Sequence, residues 1–330
     1  MPDPNTQKIL ITGGCGYIGS HIVKTLTEIG EKVIVFDNLS HGAKDALLNQ
    51  ETLIVGDITS KSELERVFQD HQIDTVIHLA ALVNAAESNK KQAEYTRVNG
   101  QGSRNVWEVA SKAGVKHFLY ASSAAVYGTP TTRLPVQESD PCSPSNPYGV
   151  TKLAGETSLK EIVPDDVNYL AFRFFNVGGA EEEGRLGQSK ESRAIMQRLF
   201  AVVTGEDDII TISGNDYDTQ DGTVVRDFVH VDDIALAFTL GINYLRGGGE
   251  SRILNLGSGE DHTIGEVIKE VEVVSDKPIP IRYGPRIEGD IEYSLADIKQ
   301  AQKILGWEPV HTLRLIVRDG YNSYVKRKTI

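Results

Sequence analysis

The sequence predicts an α/β protein built on a doubly wound parallel sheet, followed by a smaller mixed α/β region. Two observations carry that prediction. Lys8 to Thr12 is a short apolar run closed by glycines at every third position, Gly13, Gly16 and Gly19, and an amphipathic run follows with Ile22, Val23, Leu26 and Ile29 at helical spacing. Beyond it, strand-like and helix-like segments alternate through the first half of the chain, the pattern of a parallel sheet covered on both faces.

Gly30 ends the first helix. A second strand, Lys32 to Phe36, runs into Asp37. Strand, glycine turn, helix, strand and acid in this order read as a dinucleotide site. The glycines let the backbone approach a pyrophosphate, whose charge rests on the helix N-terminus, while the acid binds the adenosine ribose and rejects a 2′-phosphate. A third strand, Thr52 to Gly56, ends at Asp57-Ile58, and a fourth, Ile73 to Leu79, closes on Ala80-Ala81. A helix from Ala93 to Ala113 follows, with Val98, Val106, Val109 and Ala110 on one face and Asn99 among them. The fifth strand, Lys116 to Ala121, leads into Ser122-Ser123. Asn146-Pro147 starts a helix as N-cap and first residue, and this helix carries Tyr148 and Lys152.

The sixth strand, Asn168 to Phe174, ends at Phe175-Asn176. Ligands of such sheets sit at the carboxyl ends of the strands, where the glycine turn, Asp37, Asp57, Ala80 and Ser123 all fall. Past Val177 the pattern is irregular. Glu181 to Glu191 is charged and glycine-rich, Gly214 to Thr223 is a polar loop, and Val224 to Val231 is extended with Asp232 capping a further helix. Ile253 to Leu256 reads as a returning strand. The expected division is a cofactor domain over residues 1–176, rejoined by a segment near 226–256, and a substrate domain over 177–330.

Composition removes several function classes. The 330 residues are 40% hydrophobic and 24% charged, which is ordinary globular composition with enough chain for a large core. A net charge of −12 without a basic cluster argues against nucleic acid and anionic membranes. The first residues contain no apolar signal core and no run spans a bilayer, so a cytoplasmic protein is expected. Cys15 and Cys142 make no disulfide framework, and no metal is expected.

Tyr148 and Lys152 lie four apart on one helix and point the same way. A tyrosine titrating near 10 is a poor base at neutral pH, and lowering it by about three units takes roughly 4 kcal/mol. Desolvation opposes this, but one cation about 4 Å away at an effective dielectric near 20 supplies roughly that amount. Lys152 supplies one such charge, an oxidised nicotinamide would add a second, and Ser123 can share the phenolic proton.

Together, Gly13-Gly14-Cys15-Gly16-Tyr17-Ile18-Gly19, Asp37-Asn38-Leu39, Ser122-Ser123-Ala124-Ala125-Val126-Tyr127-Gly128 and Tyr148-x-x-x-Lys152 resemble the extended short-chain dehydrogenase/reductases, which have the Rossmann fold. More narrowly, Gly214-Asn215-Asp216-Tyr217 with Asp221 to Val231 resembles the UDP-glucose 4-epimerase family, and the likeness runs on through Ala296-Asp297 and Leu305-Gly306-Trp307. The resemblance implies tightly held NAD, reduced and reoxidised within each turnover. It makes Tyr148 the base that takes the sugar 4-hydroxyl proton, with Lys152 and Ser123 beside it. It assigns NAD to the three glycines, Tyr17, Ile18, Asp37, Asn38, Asp57 and Ile58, and further to Leu79, Ala80, Ala81, Asn99, Ser122, Tyr148, Lys152 and Phe175. It assigns the nucleotide sugar to Ser123, Tyr148, Asn176, Arg193, Arg226, Arg286, Asp290 and Ser294. Arg226 would meet the diphosphate as a charge-assisted fork. A homodimer through the helices at 93–113 and 148–162 is implied as well.

Several positions depart from the family's pattern. Val83 replaces a frequent lysine, Phe174 a frequent tyrosine, and Arg193 an asparagine or histidine, while Arg286 stands one residue further from Gly289-Asp290 than usual. Nucleotide-sugar dehydratases place an acid pair directly after the serine of the fifth strand, and here those positions are Ala124 and Ala125. A UDP-glucuronate 4-epimerase stays open as an alternative. A non-catalytic NAD-sensing protein fits less well, since both tyrosine and lysine are retained. In the resemblance the fourth residue after the Gly-Asp aspartate borders the C2 substituent of the sugar; counting from Asp290 this would be Ser294, leaving room for an acetamido group, whereas a register shift of one would put Tyr293 there.

Overall fold

The computed structural model describes residues 8–49, 51–130, 135–286 and 291–327. The first six strands follow the apolar runs: β1 (Lys8–Thr12), β2 (Val33–Asp37), β3 (Thr52–Val55), β4 (Ile73–His78), β5 (His117–Ser123) and β6 (Asn168–Phe174). Later strands are short: β7 (Asn176–Gly178), β8 (Ile210–Ser213), β9 (Val225–Arg226), β10 (Phe228–His230), β11 (Arg252–Leu256), β12 (His262–Thr263), β13 (Ile281–Gly284) and β14 (Tyr293–Ser294). The main sheet has the order β3-β2-β1-β4-β5-β6-β11 and every neighbouring pair is parallel. Winding reverses between β1 and β4, which opens a crevice at the carboxyl ends of those strands. The doubly wound parallel sheet expected from the sequence is what the chain forms.

Helices cover both faces. In chain order they are α1 (Tyr17–Glu28), α2 (Lys61–Asp70), α3 (Ala85–Ser88), α4 (Gln92–Tyr95), α5 (Gly102–Lys112), α6 (Pro147–Ile162), α7 (Ile195–Val203) and α8 (Val231–Arg246), then α9 (Ile264–Ser275), α10 (Lys299–Leu305) and α11 (Leu313–Lys326). The strand period of two divides the core. Ile9 and Ile11 of β1 join Ile22 and Leu26 of α1 and Phe238 of α8, whereas Leu10 joins Val67 of α2, Trp107 of α5 and Leu159 of α6. Each such fully buried side chain contributes roughly 1.5–3 kcal/mol relative to exposure. A separate core around Phe200, Val267 and Ile316 holds α7, α9 and α11 together. Helix α9 begins with a capping box between Thr263 and Glu266.

Three local features differ from the sequence expectation. The helix predicted over 93–113 is broken by a π turn at Thr96–Gln101, because the buried Asn99 amide is anchored outside the helix. The cap of α8 is His230, whose Nδ1 accepts the Asp232 N–H at 3.0 Å, so Asp232 is a first-turn residue and not the cap. Strand β5 continues to Ser123, so Ser122 and Ser123 belong to the sheet and face opposite sides of it.

Buried imidazoles give this fold a pH dependence. Burial pushes His21 of α1 down to about 4, and burial together with the Lys152 charge pushes His78 of β4 down to about 3. An unfolded chain protonates histidine near 6.5, so below that pH the unfolded state binds more protons and stability falls with acidification. His311 acts the other way. Its hydrogen bond with Asp233 raises it above 6.5, so its contribution is complete below 6.5 and fades as pH rises through the folded value. Burial lowers His117 as well, and below pH 6.5 the three lowered groups outweigh the one raised group. The melting temperature is therefore expected to fall from about pH 6.5 to about pH 5.0. A flat profile over that interval would contradict neutral burial of His21 and His78.

Candidate active site

The crevice starts at the turn between β1 and α1. Gly13 adopts φ +75°, and a Cβ there would lie 2.6 Å from the Ala80 nitrogen on the exit of β4. A Cβ at Gly19 would overlap the Gly13 carbonyl oxygen, so α1 can pack this closely only through glycine. Gly16 is the N-cap of α1, and its outer side is open, with only Gly13 O at 3.3 Å from an added Cβ. Gly13 N–H donates to Phe36 O at 2.9 Å, which pins the turn to β2. The first turn of α1 has no acidic residue and no side-chain cap, so its leading N–H groups, at Tyr17 and Ile18, meet no competing anion. The Tyr17 ring is half-buried instead, its hydroxyl donating to Gly179 O at 2.7 Å.

Asp37 has a role the sequence pattern did not reveal. Its Oδ2 accepts the Cys15 N–H at 3.0 Å and its Oδ1 the Leu39 N–H at 2.8 Å, so the carboxylate braces the glycine turn from β2. Asn38 Nδ2 donates to Asp57 Oδ2 at 3.2 Å, and Asp57 Oδ1 accepts from the Thr59 N–H and hydroxyl. Burial raises the Asp57 carboxyl, but these bonds and the Arg97 charge outweigh it and hold it below its ordinary value. Ile58 is buried against Gly102, and its carbonyl accepts Asn105 Nδ2 at 3.1 Å. The N–H groups of Leu79 and Ala80 both donate to Thr12 O at 3.0 Å, which folds the exit of β4, with Ala81 following, over β1.

Asn99 clamps the loop after Ala81. Its Oδ1 accepts the Leu82 N–H at 2.8 Å, and its Nδ2 donates to Leu82 O at 2.9 Å and Thr151 Oγ1 at 3.2 Å. Thr151 in turn donates to the Tyr148 carbonyl at 2.8 Å. Below lies neutral His78. Ser103 Oγ donates to Asn99 O, so it accepts from His78 Nε2, and His78 Nδ1 accepts from Thr12 Oγ1.

Asn146 Oδ1 accepts the Gly149 N–H at 2.9 Å and starts α6, which points Tyr148 and Lys152 toward β5. Burial raises the Tyr148 phenol above its ordinary value, while a hydrogen bond with the Ser123 hydroxyl pulls it down. Lys152 is 3% exposed; its Nζ donates to Ala121 O at 2.8 Å and lies 5.9 Å from the Tyr148 ring centre. Burial pushes this amine down to about 7, with the Glu156 charge opposing. At neutral pH the resting phenol therefore keeps its proton, and burial disfavours the charged form of the lysine.

A cavity of about 300 Å³ opens beside Ser123, lined also by Ala124, Ala125, Phe175, Asn176, Arg226 and Ser294. Phe174 and Tyr127 complete part of its wall. Ser294 stands in register with Arg226, and Tyr293 with Val225. Among the described residues the lining includes neither Tyr293, Arg193 nor Arg286. Arg193 is exposed on the loop before α7. Arg286 stacks over Tyr217 at 4.0 Å and pairs with Asp216 at 2.7 Å. Asp290 lies outside the described residues. Ser122 turns away from the crevice, its hydroxyl donating to Glu156 at 2.5 Å. A second, shallow groove of about 440 Å³ at the amino ends of the strands, near Glu31 and Thr52, carries none of these groups.

Glu156 and Arg173 were not foreseen. The available signals were Glu156 on the helical stripe of Tyr148 and Lys152, and a lone arginine in the otherwise apolar β6.

A glycine turn at the switch point of a parallel sheet, with Tyr148 and Lys152 of α6 set against Ser123 at the end of β5, is the arrangement of the short-chain nicotinamide-dependent class of enzymes. The chain belongs to the NAD dependent epimerase/dehydratase family, whose profile matches residues 9–257. It is 42% identical over 318 residues to a UDP-glucose 4-epimerase of Halalkalibacterium halodurans, covering 95% of this chain and 94% of that one. The structure resembles that of a UDP-glucose 4-epimerase from Stenotrophomonas maltophila with bound NAD and formylated UDP-arabinopyranose, with TM-score 0.93, 32% identity and coverage of 98% and 99%. It also resembles the Bifidobacterium longum enzyme in complex with NAD+ and UDP, with TM-score 0.91, 33% identity and coverage of 97% and 99%. Among the described residues no helix is long and apolar enough to cross a membrane.

Proposed function

We propose that this protein interconverts the C4 epimers of a UDP-hexose through a transient 4-keto sugar, using NAD that it keeps bound. The observation that carries this reading is Tyr148 bonded to Ser123 with Lys152 beside it, where Ser123 lines a cavity and the next residues, Ala124 and Ala125, bring no acid or base for elimination. The glycine turn fits the cofactor: Gly16 leaves its outer side open, and no carboxylate stands in the first turn of α1. Bound NAD supplies a hydride acceptor and donor and a positive ring. Tyr17 and Ile18 contribute backbone N–H groups, Asp37, Asn38, Asp57 and Ile58 form the adenosine end, and Leu79, Ala80, Ala81 and Phe175 form the inner wall. Asn99 and Ser122 support that wall from behind, since their side chains are engaged within the protein.

The remaining chemistry belongs to the chain. Tyr148 Oη takes the proton of the sugar 4-hydroxyl and later returns it, with Ser123 sharing that proton. Lys152 lowers the cost of the phenolate while it is charged. Arg226 and Asn176 hold the nucleotide sugar at the cavity, and Arg226 faces the diphosphate. Arg286, Arg193 and Asp290 are assigned to the UDP end by the family resemblance alone. The likeness to the enzymes described above supports this arrangement, as do the cavity and its lining. Residues 1–176 with the 226–256 segment form the cofactor domain, supported by β11 pairing with β6 and α8 packing on α1, and residues 177–330 otherwise hold the sugar nucleotide. The protein is cytoplasmic, which suits two free cysteines, and pairs with a second copy through α5 and α6. Light scattering that gives a monomer mass at micromolar protein would remove the dimer. The direct test of function is incubation with UDP-galactose and no added cofactor. UDP-glucose should form, and its absence would defeat the reading.

Ser294 also sets the sugar range. A serine on this wall leaves room for a 2-acetamido group, and a tyrosine would overpack it by about 1–3 kcal/mol. The protein should therefore accept UDP-N-acetylgalactosamine as well as UDP-galactose. Ser294→Tyr is expected to reduce the acetamido activity roughly 10–100-fold while sparing UDP-galactose. Refusal of UDP-N-acetylgalactosamine by the unaltered protein would refute the argument.

A further inference from the structure

Helix α6 carries a third buried polar side chain on the stripe of Tyr148 and Lys152. Glu156 lies one turn beyond Lys152 and is 6% exposed. Ser122 of β5 and Arg173 of β6 are direct neighbours in the parallel ladder. Both continue the sheet face that packs on α6, and both converge on this carboxylate. Arg173 Nε donates to Oε1 at 2.9 Å and Nη2 to Oε2 at 2.7 Å, while Ser122 Oγ donates to Oε1 at 2.5 Å.

The three α6 side chains thus address three consecutive residues of β5. Lys152 holds the Ala121 carbonyl, Glu156 the Ser122 hydroxyl, and Tyr148 the Ser123 hydroxyl. An isolated buried ion pair adds little net stability, because desolvation of both charges offsets their attraction. Its position behind the lysine gives it another use.

The groups facing the Lys152 amine come from four elements. They are the Ala121 carbonyl and the Tyr120 ring of β5, the phenol of Tyr148 and the carboxylate of Glu156 on α6, and neutral His78 of β4, with Arg173 of β6 behind Glu156. Glu156 alone among them brings a negative charge. Arg173 also lies over the Tyr127 ring at 4.7 Å, and Tyr127 lines the cavity, so the pair reaches the wall of the site.

We propose that Glu156, held by Arg173 and Ser122, is a positioning residue that ties α6 to β5 and β6 behind Lys152 and favours the charged form of its amine. This rests on the role of Tyr148 and Lys152 given above. Arg173 neutralises part of the Glu156 charge, and thereby sets how much of it Lys152 feels.

The test is the pH profile of turnover for the NAD-loaded protein. Glu156→Gln keeps the shape and removes the charge. Its alkaline limb should move to lower pH by about one unit, with kcat falling about tenfold near pH 8 and KM and NAD content changing less than about twofold. Arg173→Met frees the carboxylate and should move the limb to higher pH. Each single variant leaves a buried charge unpaired, so the double Glu156→Gln/Arg173→Met, which leaves none, guards against loss of the fold. The double should melt no lower than the parent and keep the limb on the low-pH side. Profiles that coincide with the parent, with Tyr148→Phe inactive at every pH, would overturn the positioning role alone. Retained turnover in Tyr148→Phe would overturn the reading of the site beneath it.

Discussion

Tyr148→Phe is expected to lose roughly 10²–10⁴-fold of turnover while the protein still folds and retains NAD. The ring is half-buried, and the substitution removes a single oxygen that bonds to the Ser123 hydroxyl, so shape is preserved. What disappears is the phenolic oxygen beside Ser123, the group proposed to take the sugar proton. In the resting protein burial raises this phenol above its ordinary value and lowers the Lys152 amine, so neither residue is activated alone. Activation requires a further positive charge beside the pair, which is why turnover and cofactor occupancy should be inseparable. Tyr148→Phe that turns over normally would transfer the proton chemistry to another residue.

Gly19→Ala should be nearly as damaging, through the cofactor. The added methyl overlaps the Gly13 carbonyl oxygen and lies 2.8 Å from Gly14 Cα, and all of these are backbone atoms. They cannot yield, because Gly13 is tied to Phe36 O and the next residues to Asp37. Helix α1 must then lift off the turn. That costs about 1–3 kcal/mol of packing strain, and the stabilisation from bound ligand is lost in addition. The variant is expected to purify with little NAD, to melt several degrees lower, and to lose more than about 100-fold of turnover. Gly100→Ala is the control, since nothing lies within 4 Å of its added Cβ. Wild-type NAD content in Gly19→Ala would separate the turn from the cofactor.

The legible parts of this protein are those where one local rule decides. Parallel strands buried on both faces read as apolar runs, which is why β6 and the ends of β1 and β4 were visible directly. Asn146-Pro147 is a local start signal, and the helix begins there. Other features depend on contacts between distant segments. The π turn exists because Asn99 reaches Leu82 and Thr151, and no periodicity within 93–113 reports those partners. His230 caps α8 with a ring nitrogen, which ordinary cap preferences do not weigh. Ser122 and Ser123 look equivalent in sequence, yet the alternation of β5 sends one to Glu156 and the other to the cavity. The Glu156–Arg173 pair joins a helix to a strand and becomes visible only once β5 and β6 are in register.

The central claim is that the hydrogen leaving C4 of the sugar is held on the protein's own bound NAD and returned to the opposite face. UDP-galactose carrying deuterium at C4 tests it most directly. Product isolated from protein without added cofactor should be UDP-glucose with the deuterium still at C4, and no NADH should accumulate. Loss of the label to water, or NADH rising in step with substrate consumed, would contradict it.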